Sequence, residues 1–248
     1  MKMAKNLMRL AAILLLGVSG TAWAQTVNLY TYHLSPPFVS GKGAGLTYDL
    51  ATYLSEKSAG KYQFQVQELP RKRLNEVIKS DDAGVVPWVM PAWFQDKEET
   101  SYLWTQGFFP DGNALLSPAS AKIEYNGEIT SLHGLKFGGV RGHKYQDIDA
   151  AVEAGNISRQ DAQDIDANLR KLAAGRIDFS SAADSASRYL VAEMGLSSKI
   201  HFSSTPHTQY NRRFLVMKAL PEVKAFLSQV VAEMPTDEKW AAIVSQYQ

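Results

Sequence analysis

The feature that most constrains this chain is a repeated change of period along residues 27–89. Residues 27–32 and 62–69 alternate apolar and polar side chains, as half-buried strands do. Residues 46–58 instead put Leu46, Leu50, Tyr53 and Leu54 on one side of a helix, and Gly60 supplies the stop. Pro70 opens a second helical run to about residue 79, and residues 85–89 form a third strand-like run. A β-α-β-α-β order of this kind predicts an α/β fold with parallel strands, because each crossover lays its helix on a face of the sheet.

The later sequence reads the same way. A second unit begins near residues 114–117, and residues 135–140 form a strand followed by a turn at Arg141-Gly142. Helices are predicted at 143–154, 168–174 (ended by Gly175), 184–194, 221–233 and 236–247. Strands are predicted at 177–180, 199–202 and 213–218. There is no internal repeat, low-complexity tract or long linker, which suggests two lobes crossed by more than one strand.

The first residues follow another logic. Lys2, Lys5 and Arg9 precede an apolar run over residues 10–18, and Ala22-Trp23-Ala24 then gives a small-x-small pattern. That order is the pattern of a secretory leader, cleaved after residue 24. The apolar run is short for a membrane span, which takes roughly 20 apolar residues. The expected location is a compartment outside the cytoplasm. The sequence has 0 cysteines, which rules out disulfides, thiolate metal sites, cysteine nucleophiles and a lipid attached to cysteine. With 26 basic and 25 acidic residues, and three of the basic ones in the leader, the exported chain is slightly acidic. Nucleic acid is therefore not an expected partner. His33, His133, His143, His201 and His207 show no metal-binding spacing, and no G-x-S-x-G is present. No metal, cofactor or catalytic residue is expected. Asp81-Asp82 and Glu98-Glu99 read as solvated acids.

Four motifs in order then resemble the periplasmic solute-binding proteins of the polar amino acid class, with the type II binding-protein fold. They are Ser35-Pro-Pro-Phe38 with the GLTYDLA of residues 45–51, the LHGLKFGGVRG of 132–142, the LAAGRID of 172–178, and a closing helix pair ending in Tyr247. The resemblance implies two lobes around a cleft: residues 25–112 with 210–248, and residues 113–209. Hinge strands are expected near 111–113 and 208–211. It further implies a monomer that captures a small polar or aromatic solute and delivers it to the permease of an ABC transporter, without covalent chemistry. An enzyme on the same fold, or a ligand-sensing partner of a membrane receptor, is the alternative.

The site departs from that family. The arginine that usually holds a ligand carboxylate is replaced by Glu98, with Lys97 beside it, and the preceding turn offers Met90, Pro91 and Trp93 instead of hydroxyls. The acid expected for a ligand amine falls on Ala183 or Asp184. The candidate ligand residues are Tyr32 at the end of the first strand and the aromatic Trp88 and Trp93. Arg73, near Arg71 after Pro70, is the candidate for the missing positive charge. The glycine turn contributes Arg141, Lys144 and Tyr145, where free N–H groups attract anions. Asp184 is the second-lobe candidate, with helix capping as its plainer role.

Overall fold

The computed structural model describes residues 24–80, 83–145 and 147–247. Residues 1–23 of the expected leader, and Asp81-Asp82, lie outside them. The first five elements follow the predicted alternation: β1 (Gln25–Thr31), α1 (Leu46–Lys57), β2 (Tyr62–Glu68), α2 (Arg71–Lys79) and β3 (Gly84–Val89). β1 is parallel to both neighbours, in register from Gln25↔Tyr62 to Thr31↔Glu68 with β2 and at Asn28↔Gly84 with β3. β3, parallel to β1 and antiparallel to the later strand Thr208–Val216, is buried along its whole length, as a central strand with both faces covered should be.

The chain continues through β4 (Leu103–Trp104), β5 (Phe109–Pro118), β6 (Lys136–Gly138), α3 (Asp147–Glu153), β7 (Ser158–Arg159), α4 (Ile165–Ala173) and β8 (Phe179–Ala183). It closes with α5 (Asp184–Glu193), β9 (Ile200–Phe202), β10 (Thr208–Val216), α6 (Pro221–Glu233) and α7 (Glu238–Ser245). The main path of the sheet runs β2-β1-β3-β10-β5-β8-β6-β7, with β4 beside β10 and β9 beside β5.

Several boundaries differ from the sequence reading, each for a local reason. The helix expected from residue 143 starts at Asp147, because Tyr145 turns back: its hydroxyl accepts from Val140 N at 2.9 Å and its own N–H donates to Asp149 at 2.7 Å. α4 starts three residues early, where the Asp164 side chain accepts from Ala167 N and caps it. The last helix is split: a 3₁₀ turn at Met234–Thr236 comes first, and Asp237 then caps α7. β5 and β10 are longer than expected because their polar halves, 109–113 and 208–212, pair with each other as an antiparallel ladder that no apolar alternation marks.

The buried side chains fall into two sets. Leu29, Leu50, Trp88, Phe214, Leu227 and Trp240 fill one face of the β1–β3 sheet, and Leu74, Val86, Leu215 and Met217 fill the other. Leu116, Leu169 and Leu190 pack on one face of the β5–β8 sheet, while Leu115, Phe137, Ile148 and Phe179 pack on the opposite one. Leu115 and Leu116 point to opposite faces because strand side chains alternate. β5 runs from one set into the other, with Phe109 in the first and Leu115 and Leu116 in the second. Among the described residues no helix is long and apolar enough to cross a membrane.

A cleft beside the hinge strands

The two halves meet at the ribbon formed by β5 and β10, antiparallel from Thr208↔Asn113 to Arg212↔Phe109. Its central group is Arg212, whose side chain is 2% exposed. Nε donates to Asp111 Oδ2 at 2.7 Å and Nη1 to the Trp88 carbonyl at 2.7 Å. The guanidinium also lies 4.8 Å from the Phe38 ring centroid, 5.4 Å from Trp93 and 5.3 Å from Tyr210. Asp111, with a side chain 1% exposed, accepts in addition from the Ser185 hydroxyl at 2.8 Å and from the Ser185 and Gly112 N–H groups. A buried ion pair is tolerable only with such further hydrogen bonds. Ser185 opens α5, so this one network joins β3 of the first half, both hinge strands and a helix of the second half.

Trp88 enters the network through its backbone. The β3–β10 register shifts opposite Arg213/Leu215, and Trp88 there has φ 67, in the left-handed region that bulky residues avoid. Pro87 has no N–H to give the ladder, which suits a bulge. The ring is fully buried and packs against Phe38, Phe108 and Phe109 at 5.1–5.3 Å, with Nε1 donating to Thr47 Oγ1 at 3.0 Å. That packing holds the bulge and aims the carbonyl at Arg212.

An aromatic wall stands next to it. The Tyr32 ring lies 4.3 Å from His33 and 6.4 Å from Phe94, and Trp93 lies 5.3 Å from Tyr210. Arg71 sits on this wall, its guanidinium carbon 4.8 Å from the Tyr32 centroid and 4.3 Å from Phe94. Nε donates to Asn75 Oδ1 at 2.9 Å and Nη2 to the Trp93 carbonyl at 2.5 Å. Burial, and then the Arg212 charge, holds the His33 pKa well below its usual value, so the ring is neutral. Its Nε2 is buried with no hydrogen-bond partner. Burial likewise raises the Tyr32 hydroxyl and pushes Tyr210 up to about 12.

The other side of the hinge holds a cavity of about 290 Å³. Pro37, Val244 and Tyr247 of the first half bound it, with Phe109–Asp111 of the hinge and Asp184, Ser185 and Arg188 of the second. Arg188 Nε donates to Asp184 Oδ2 at 2.8 Å, one turn apart on α5. The Tyr189 and Tyr247 rings face each other across the halves at 6.3 Å.

Of the residues singled out from sequence, Tyr32, Trp93 and Asp184 lie at this junction. Arg73 does not: it is exposed and paired with Glu76 on its own helix at 3.0 Å, and Arg71 is the arginine on the wall. The Trp88 side chain is in the first core. Arg141 and Lys144 lie exposed in the turn before α3. The Tyr145 ring packs on Phe137 at 4.8 Å under the Arg159 guanidinium at 5.3 Å. Lys97 and Glu98 are exposed in a loop wound around the buried Asp96, whose carboxylate accepts from Thr100, Ser101, Tyr102 and Trp104. His33, Asp111, Ser185, Arg188, Tyr210 and Arg212 were not anticipated, since nothing local marks a charge that is buried by partners about a hundred residues away. One catalyst-like chain also exists: Ser181 Oγ lies 3.0 Å from His207 Nδ1, and His207 Nε2 lies 2.9 Å from Asp147 Oδ1. Ser181 is 2% exposed, so it has no room to attack a substrate, and the chain ties β8 to α3 and to the start of β10. Among the described residues no group of acids and histidines is placed to hold a metal ion.

No family model and no curated protein sequence matches the chain. Solved structures do. The chain is similar to an ancestral arginine-binding protein bound to arginine, at 15% identity over 91% of this chain and 99% of that one, with a TM-score of 0.66. It is similar to the GluR0 ligand-binding core from Nostoc punctiforme in complex with L-glutamate, at 14% identity over 90% and 98%, with a TM-score of 0.64. It also matches the BvgS periplasmic domain of B. pertussis at 15% identity and a TM-score of 0.70, covering 91% of this chain but 42% of that one. The two-lobed α/β architecture expected from the sequence is therefore the fold of this chain.

Proposed function

We propose that this two-lobed chain is a solute-binding protein: it captures a small molecule between its lobes and delivers it to a membrane permease of the ABC class. Residues 25–112 and 210–248 would form one lobe and residues 113–209 the other. The observation that carries this reading is the cavity of about 290 Å³ bounded by both lobes and by the hinge strands themselves. That is near the lower end of the roughly 300–1,000 Å³ range of small-molecule sites. A ligand touching both lobes stabilises the closed state by the difference in its contacts between the two states, which is the usual working of a hinged binder. Export to the periplasm, with the leader removed near Ala24, completes the proposal, and the chain works as a monomer.

The test is thermal shift and small-angle scattering over a panel of amino acids, short peptides and organic acids. A ligand at a hundred times its Kd adds about 2.7 kcal/mol of stability, which is about 5–11 °C in Tm for a chain of this size. A true ligand should also shrink the radius of gyration. A broad panel that moves neither quantity refutes the carrier reading.

A further inference from the structure

The cavity beside the hinge is lined by charges that are already matched to one another. It presents two carboxylates, Asp111 and Asp184, and one guanidinium, Arg188. Arg212 neutralises Asp111 at 2.7 Å, and Arg188 neutralises Asp184 at 2.8 Å, one turn away on α5. The lining with its partners is therefore neutral as a whole. A ligand with a net charge would lose water on entering and find no unmatched counter-charge. An anion would have to draw Arg188 away from Asp184. A cation would have to displace a guanidinium tethered on the same helix.

The hydrogen bonds, unlike the charges, are left open. Arg188 uses Nε on Asp184, and its guanidinium carbon lies 4.5 Å from the Phe202 centroid. The plane is thus fixed, while Nη1 and Nη2 make no hydrogen bond among the described residues. Asp184 accepts through Oδ2, and its Oδ1 has no donor among the described residues. The Ser185 and Tyr247 hydroxyls donate to Asp111 at 2.8 Å and to Asp49 at 2.6 Å, so both oxygens keep lone pairs to accept with. Asp111 is saturated: Oδ1 accepts from the Gly112 and Ser185 N–H groups, and Oδ2 from the Ser185 hydroxyl and Arg212. The cavity therefore offers one planar donor edge against several acceptor oxygens, with Pro37, Phe109 and Val244 as its apolar wall.

Resting on the carrier reading above, we propose that this cavity takes an uncharged amide, a primary carboxamide or a urea on a small apolar body. Its carbonyl would lie on the Nη edge of Arg188, and its N–H groups on Asp184 Oδ1 and on the Ser185 and Tyr247 oxygens. A primary amide brings one acceptor oxygen and two N–H donors, which is the complement of this lining. It adds to the Asp184–Arg188 pair without breaking it. The apolar body rests on the proline, phenylalanine and valine side chains.

The test is calorimetry on the full exported chain with matched sets: benzamide and phenylurea against benzoate, benzylamine and N,N-dimethylbenzamide, and butyramide against butyrate and butylamine. The primary amides and the urea should bind, and the acids, the amines and the dimethyl amide should bind at least about tenfold more weakly. The ion pair also predicts two reversals. Asp184→Asn leaves Arg188 without a counter-charge, so benzoate should then bind at least as well as benzamide. Arg188→Gln leaves Asp184 alone, and benzylamine should gain in the same way. Melting curves of each variant without ligand establish that it is folded. Acids, amines or the dimethyl amide that bind the native protein as well as the primary amides do, or an order of affinities unchanged in either folded variant, overturn this inference. No binding of the matched sets, while a member of the broader panel binds and reduces the radius of gyration, overturns it and leaves the carrier reading standing. No binding in either panel defeats both.

Discussion

Arg212→Met tests the hinge network most directly. The substitution keeps much of the side-chain length and removes the charge, leaving the Asp111 carboxylate, 1% exposed, in place. Breaking a buried pair by deleting one partner costs about 3–5 kcal/mol, because the remaining charge is uncompensated. Ser185 and Gly112 still donate to that carboxylate, which places the expectation at the lower end, about 3 kcal/mol. For a chain of this length each kcal/mol moves Tm by about 2–4 °C, so the loss should be about 6–12 °C. Further loss comes from the Trp88 carbonyl, which gives up its 2.7 Å donor at a strained position. The assay is calorimetric or circular-dichroism melting, repeated on Asp111→Asn and on the double variant. Asp111→Asn strands the guanidinium in the same way. The double variant removes both charges, so it should be more stable than the sum of the two single losses implies. A single-variant shift below about 2 °C, or strictly additive losses, would refute the argument that the hinge is held by a mutually dependent pair.

Two further outcomes follow from the surface carboxylates. Asp237 caps α7 by accepting from Trp240 N at 2.9 Å and pairs with Lys57 at 2.9 Å, and these contacts hold its pKa at about 2. A depressed carboxylate stabilises above its unfolded value of about 3.9 and loses that contribution as pH falls towards about 2. Asp237→Ala should therefore lower stability by about 0.5–2 kcal/mol at pH near 7, and the gap in melting temperature should narrow below about pH 3. Glu124 is likewise held at about 2, chiefly by the Ser204 N–H and hydroxyl and then by His201 and Ser203. Glu124→Gln should make the segment between β5 and β6 more sensitive to limited proteolysis at neutral pH, and an unchanged cleavage rate would show that this anchor is dispensable.

The scaffold was legible in the sequence because its signals are periodic. β1, α1, β2, α2 and β3 have apolar residues at spacing 2 or 3.6, and the structure places them as that spacing requires. The hinge was legible only from the order of motifs, since the polar halves of β5 and β10 carry no apolar pattern. The site was less legible still. Tyr32 and Trp93 stand at the ends of recognisable elements. Arg71 and Arg73 look alike in sequence, and only the pitch of α2 turns the first to the aromatic wall and the second to Glu76. Asp111 and Arg212, separated by 101 residues, become a pair only when β5 and β10 come side by side.

The position of β10 between β3 and β5 also has a consequence in time. Its residues come after nearly all of the second lobe in the chain. β5, β6, β7, β8 and β9, with α3, α4 and α5, lie within residues 109–202 and can pair as they emerge. The sheet of the first lobe stays open at the β3 edge until residues 208–216 arrive, and α6 and α7 come later still. The lobe whose strands begin the chain is therefore finished last. Throughout that interval the strand of Val85, Val86 and Val89 has one edge unpaired, the kind of apolar edge that invites aggregation or a chaperone.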